Sequence, residues 1–247
     1  MSAQPDIRLC DDAAALAHQT TEEFVRLAQE SVAARGRFTV ALAGGSTPKA
    51  AYALLVSAAY RDRVPWQQIH FFWGDERHVP PDHDDSNYRM AYEVMLSKVT
   101  IPGSNIYRIL AEKEAQQAAD EYAVTLHTTF HLTADTLPRF DLILLGMGPD
   151  GHTASLFPGT AAVHENKRLV VAPWVEKFHT YRITLTPAVL CHAAHVVFAA
   201  GGADKAETLR GVLQGPYQPD LYPSQVVKPT QGRLLWLVDK AAARLLS

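Results

Sequence analysis

Apolar and polar positions alternate between two periods along this chain, and the switch between them outlines a repeating order of helix and strand. Residues 12 to 35 place Leu16, Thr20, Phe24, Leu27 and Ser31 at helical spacing. Asp11 and Asp12 stand ready as caps and Gly36 as a stop, which predicts one long amphipathic helix. The run FTVALAGG (38–45) is β-branched and apolar and ends in two glycines, the pattern of a buried strand. Similar runs follow at 69–73, 140–146, 168–172, 182–186, 195–202 and 234–239. Between them, 112–130 aligns Ala115, Ala119, Tyr122, Leu126 and Phe130 on one helical face, and shorter helices are expected after Pro48, Ser86, Asp204 and Asp239. Strands alternating with helices predict an α/β fold, a mostly parallel sheet with helices on both faces. Functional groups should then gather at the carboxyl ends of the strands. No internal repeat or low-complexity tract divides the 247 residues, so a single domain over 1–247 is expected. The stretch 214–231 carries four prolines and reads as a connector between the last long helix and the last strand.

Composition narrows the classes of function. A net charge of −3 gives the molecule no attraction as a whole to nucleic acid or an anionic membrane, so any anion must be held by a local site. The two cysteines, Cys10 and Cys191, supply neither a disulfide framework nor a thiolate zinc site. The opening MSAQPDIRLCDD lacks the basic and apolar regions of a secretory leader, and no apolar run approaches bilayer length. A cytoplasmic location is expected. Nothing in the pattern specifies an oligomeric state.

Three segments carry candidate chemistry. In LAGGSTPKAAYALL (42–55), a strand ends in Gly44 and Gly45, Ser46 and Thr47 offer hydroxyls, and Pro48 suits the first helical position. Free amides and a helix dipole would converge there on an anion; a plain helix cap is the alternative. Pro48 breaks a G-x-S-x-G elbow, and no G-K-[ST] triplet exists. In FFWGDERHVPPDHDDSNYRMAYE (71–93), Asp75, Glu76 and Arg77 follow directly on a strand end, where packing alone seldom collects charge. Asp82, Asp84 and Glu93 mimic part of an EF-hand, but Asn87 stands where glycine is needed; His78, Asp82 and His83 lack ligand spacing. No metal site is expected. In DLILLGMGPDGHTASLFPG (141–159), Gly146, Gly148 and Gly151 spell G-x-G-x-x-G, yet Asp150 would face a pyrophosphate and Pro158 with Gly159 forbids the helix that motif needs. The glycines instead present Asp150 and His152, and a neutral imidazole is suited to take a proton from water. Arg182 and Lys205 add cations, Lys205 in the first turn of a helix where the dipole disfavours it unless an anion is near.

GGSTP (44–48), WGDERHVP (73–80), SNYRMA (86–91), GMGPDGHTASLFPG (146–159), RITLT (182–186) and GGADK (201–205), in that order, resemble the 6-phosphogluconolactonase family, within the larger group that includes glucosamine-6-phosphate deaminase. The resemblance implies a NagB-like, Rossmann-like fold without nucleotide, metal or redox cofactor. It also implies hydrolysis of the sugar phosphate 6-phospho-D-glucono-1,5-lactone in the oxidative pentose phosphate pathway. On that reading Gly45, Ser46 and Thr47 hold the phosphate with Arg182 and Lys205 as counter-charges, and His152 activates water. Asp75 or Asp150 orients the ring or the imidazole, and Arg77 stabilises developing charge. Two alternatives remain: a glucosamine-6-phosphate deaminase and isomerase, and a non-enzymatic sugar-phosphate sensor. Deaminases carry a glutamate five residues after the motif histidine; here that position is Phe157, an apolar ring expected neither to orient nor to recharge the imidazole.

Overall fold

The computed structural model describes residues 6–134 and 136–247. Its centre is a six-stranded sheet of β1 (Asp6–Cys10), β2 (Phe38–Leu42), β3 (Ile69–Trp73), β5 (Leu142–Leu145), β9 (His195–Ala200) and β10 (Arg233–Asp239). The strands are all parallel, in the order β1-β10-β9-β5-β2-β3. Four of them, β2, β3, β5 and β9, consist almost wholly of buried residues, as strands covered on both faces must be.

Helix α1 (Ala13–Arg35) begins where expected: Asp12 accepts the Ala15 N–H at 2.8 Å, and Gly36 ends it in the left-handed region with φ 72°. Its buried stripe includes Leu16, Thr20, Phe24, Leu27 and Ser31, and Phe24 meets Phe38 of β2 edge-on. Phe38 pairs with Ile69 in register, so Phe72 of β3 points to the opposite face. There it packs against Phe130, the residue closing α4 (Ala115–Thr129). Helices thus cover both faces.

Two expected strands do not join this sheet. The runs at 168–172 and 182–186 become β6 (Val170–Val171) and β8 (Thr180–Leu185), which pair antiparallel with each other, and β8 also pairs antiparallel with β4 (Asp75–Arg77) and with β7 (Trp174–Val175). A parallel crossover needs a dozen or more residues, and the links that join β6, β7 and β8 are far shorter. Gly74 alone separates β3 from β4, so the chain leaves the large sheet and enters the small one in a single step.

The chain leaves β2 toward β3 on one side and, once it returns, runs β5, β9, β10 on the other. The connections therefore diverge between β2 and β5. In open α/β sheets the crevice at such a divergence, outside the carboxyl ends of the strands, is where ligands bind. No helix among the described residues is long and apolar enough to cross a membrane.

Candidate active site

One wall of that crevice is the turn after β2. Helix α2 (Ser46–Leu55) begins two residues earlier than Pro48 suggested, so the proline is its third residue and removes one amide that would otherwise lack a partner. Gly45 is the N-cap at φ 101° and ψ 171°, a conformation essentially reserved for glycine, and no side chain caps the helix. The first-turn amides of Ser46 and Thr47 stay available to an anion, with the dipole aligned. Tyr52 of the same helix fixes the turn from below: its hydroxyl accepts the Ala43 N–H and donates to the Ala43 carbonyl, both at 3.0 Å.

The acidic strand end divides into two kinds of residue. Glu76 is buried and accepts from the backbone N–H groups of Arg77, Asn87 and Tyr88 and from the Ser86 hydroxyl. It caps α3 (Asn87–Val94); burial pushes its carboxyl up while those hydrogen bonds pull the other way. Asp75 instead faces the crevice. Its Oδ2 accepts the Ser155 hydroxyl at 2.6 Å, tying it to the segment after His152, and Asn87 donates to its carbonyl at 2.9 Å. Arg77 lies opposite Arg182 in the β4–β8 pair and donates to the Asp85 carbonyl at 2.5 Å. Burial first, and the Arg77 charge second, hold the Arg182 guanidinium below the usual arginine range, and the Phe178 ring lies 5.1 Å beneath it. Two adjacent guanidiniums repel each other, a cost that a dianion between them would relieve.

The opposite wall is the turn after β5. Gly148 N–H donates to the His152 carbonyl at 2.9 Å and Gly151 N–H to the Gly148 carbonyl at 3.0 Å, closing a tight loop. A Cβ on Gly148 would lie 2.1 Å from the imidazole, so only glycine leaves room for the ring. His152 Nδ1 is 2.5 Å from Asp150 Oδ1. A carboxylate only accepts, so Nδ1 carries the hydrogen, and in the neutral ring it is Nε2 that offers a lone pair. Burial raises the Asp150 carboxyl, but hydrogen bonds and charge from His152 and Lys177 outweigh it and hold the group well below the ordinary carboxylate range. Lys177 Nζ sits 2.9 Å from Asp150 Oδ2. Phe157 stacks on the imidazole at 4.2 Å and 24°, which corrects the expectation that this apolar ring orients nothing: it fixes the plane of the imidazole.

The proline-rich stretch 214–231 does join α6 (Ala206–Gln214) to β10, and it also holds this turn from behind. Ser224 donates to the Gly151 carbonyl through its N–H at 2.9 Å and its hydroxyl at 2.8 Å. Thr208 of α6 donates to the Pro149 carbonyl at 2.7 Å.

Gly45, Ser46, Thr47, Asp75, Arg77, His152 and Lys205 line one cavity of about 230 Å³. Asp150 and Arg182 stand behind that lining, each against one of its members. Lys205 ends a short 3-10 turn just before α6, and its ammonium bonds the Gly201 carbonyl at 2.9 Å. A larger cavity of about 730 Å³ lies beyond Asp150, lined by Phe157, Pro158 and Val171, without the free amides or the imidazole. Sequence reasoning missed Lys177, 27 positions from Asp150, and the buttress from Ser224; neither lies in a motif. The EF-hand mimic resolves into ion pairs, Arg89 bonding Asp84 at 2.6 Å and Glu93 at 2.7 Å, and His78 meets the Lys113 carbonyl. Among the described residues no group of three or more His, Cys, Asp or Glu is placed to hold a metal ion.

Residues 11–236 match the family described as glucosamine-6-phosphate isomerases/6-phosphogluconolactonase. The chain is 43% identical to a 6-phosphogluconolactonase of Synechocystis over 88% of both chains, and 40% identical to one of Nostoc over 98% of both. The solved 6-phosphogluconolactonase from Trypanosoma cruzi superposes with a TM-score of 0.86 at 30% identity, covering 100% of this chain and 98% of that one. A monomeric glucosamine-6-phosphate deaminase shares the fold at a TM-score of 0.80 and 19% identity. By sequence and by architecture the chain belongs to the glucosamine-6-phosphate isomerase/6-phosphogluconolactonase family.

Proposed function

We propose that this protein hydrolyses 6-phospho-D-glucono-1,5-lactone to 6-phosphogluconate, as one domain over residues 1–247 working in the cytoplasm in the oxidative pentose phosphate pathway. The observation that carries the reading is the shared cavity: a base with its carboxylate partner, His152 and Asp150, opens onto the same space as the free amides at Gly45, Ser46 and Thr47. A phosphate dianion docks on those amides and hydroxyls, with Arg182 and Lys205 balancing its charge. The tether places the lactone carbonyl near His152, so a bimolecular attack becomes local.

His152 Nε2 takes a proton from water as its oxygen adds to the carbonyl carbon. Charge developing on the carbonyl oxygen is met by Arg77. As the intermediate collapses the bond to the ring oxygen breaks, and the proton held on Nε2 passes to that oxygen. Asp150 keeps the imidazole in the reactive tautomer, and Asp75, anchored by Ser155, orients the ring hydroxyls.

Deamination of glucosamine 6-phosphate is the second reading, and Phe157 disfavours it. Moving protons between adjacent carbons calls for a second titratable group by the base, and an aromatic ring occupies the stacking position. The test follows acid release from freshly prepared lactone above its spontaneous hydrolysis, and ammonia release from glucosamine 6-phosphate, with one preparation. Catalysed ammonia release with lactone hydrolysis no faster than the blank would overturn the proposal.

A further inference from the structure

We infer that Lys177 is a positioning residue for the base: by holding the second oxygen of Asp150, it keeps the first on His152 Nδ1 and shares the carboxylate's negative charge. The inference rests on the lactonase reading for its kinetic arm only. An exposed ion pair ordinarily contributes little, and the Lys177 side chain is 55% exposed. This pair differs because its carboxylate is 26% exposed and already committed through Oδ1 to the imidazole, so whatever acts on Oδ2 acts on the base.

The geometry around Lys177 is consistent with that task. It stands in the turn Glu176–Phe178 between β7 and β8. Its neighbour Glu176 is engaged elsewhere, accepting the Trp174 indole N–H at 2.8 Å and lying 3.6 Å from His179, and so does not compete for the ammonium. Phe178 anchors the turn, edge-on to Phe157 at 5.7 Å and beneath the Arg182 guanidinium. One surface turn therefore touches the carboxylate behind the base, the ring stacked on the base and a counter-charge for the phosphate.

The charged groups facing His152 are Asp150 from its own turn, Lys177 through Asp150, Asp75 and Arg77 from β4, and Lys205 from before α6. Of these, Asp150 bonds the ring directly. Removing the ammonium leaves that carboxylate's charge facing the imidazole alone, which favours the protonated ring and so removes the free base.

The experiment compares wild type, Lys177→Met and Lys177→Arg. In Lys177→Met, kcat at neutral pH falls about three- to tenfold with KM within twofold, the acid limb of the kcat profile moves toward alkaline pH by about half to one unit, and kcat recovers above it. The NMR titration of the His152 ring in the free protein moves the same way, a readout that needs no substrate. Lys177→Arg restores both. A merely structural contact would lower kcat at every pH with a lower Tm. That pattern, or an unmoved ring titration, overturns the inference. No lactonase activity in wild type, with the His152 titration still shifted in Lys177→Met, would defeat the functional reading and leave the charge coupling standing.

Discussion

The turns after β2 and β5 face each other across one crevice, yet they are built by opposite means. The first is almost wholly local: a strand end, a glycine at φ 101°, and a helix whose amides lack partners, all within residues 42 to 55. The second has no helix behind it. It depends on Phe157, Lys177, Thr208 and Ser224, brought from four later points in the chain. Holding an anion needs donors and a dipole, which the backbone supplies wherever a helix begins. Aiming a base needs a ring fixed in plane, tautomer and charge, and each takes a separate side chain. The first wall should therefore govern binding and the second turnover.

The sharpest test of that division is His152→Ala. It should lower kcat by roughly 10² to 10⁴, the usual contribution of a general base, while 6-phosphogluconate affinity stays within a few-fold. The kcat profile should lose its acid limb. A large loss of product affinity with little change in kcat would reverse the roles of the two walls.

A matched pair of glycine substitutions sharpens the comparison. Gly148→Ala puts a methyl 2.1 Å from the imidazole, and a displacement of about 1 Å at a reacting group costs on the order of 10² in rate. Gly45→Ala meets no atom within 4 Å but must hold φ 101°, which costs about 1 to 3 kcal/mol of strain. The first variant should lose kcat. The second should lose product affinity and melt at a lower temperature. Steady-state kinetics and product titration on both distinguish the outcomes.

Arg182→Ala and Lys205→Ala probe the charges. Lys205→Ala should weaken 6-phosphogluconate binding by about 1.5 to 3 kcal/mol, the range of a charged hydrogen bond, and Arg182→Ala by less, because that guanidinium stands behind the cavity lining. Arg182→Ala relieves Arg77 of a repelling neighbour and also ends an attraction to Asp75, Asp85 and Glu76 and the stacking on Phe178, so the opposed effects should leave thermal stability little changed. Two variants that titrate like wild type would place the phosphate elsewhere.

The same division explains what the sequence discloses. Helix α1 with Asp12 and Gly36, the glycine turn before α2, and the presentation of Asp150 beside His152 follow from neighbours within a few positions, and all are legible. So are five strands of the parallel sheet, which are apolar runs; the sixth, β1, reads DIRLC, lies mostly exposed at the sheet edge and carries no such signal. The small antiparallel sheet is not legible, because the run at 182–186 has the same composition whether it joins one sheet or the other; the short links from β6 and β7 decide it. Glu76 looks in sequence like a partner of Asp75, and only the fold turns its carboxylate onto the N-terminus of α3. Phe157 is visible as a departure from a glutamate, but its stacking depends on the irregular path from Thr153 to Pro158. Lys177 reaches Asp150 across 27 positions and Ser224 reaches Gly151 across 73, and no periodicity encodes such contacts.

The smallest expected effect comes from that remote support. Ser224 gives the Gly151 carbonyl two hydrogen bonds, and Ser224→Ala removes the hydroxyl while leaving the N–H at 2.9 Å. A neutral hydrogen bond contributes about 1 kcal/mol net, and the methyl that remains fills much of the same space, so the midpoint of denaturation should drop slightly. The turn closes on itself through Gly148, Gly151 and His152, so one missing donor leaves the backbone in place. Turnover should therefore fall no more than about threefold with KM unchanged, since an error well under 1 Å at the base is tolerated far better than a full one. Urea denaturation and kcat measured on the same protein check both halves. A tenfold loss of kcat without a loss of stability would mean that the buttress sets the position of His152 directly, and that the second wall depends on distant contacts even more than its geometry indicates.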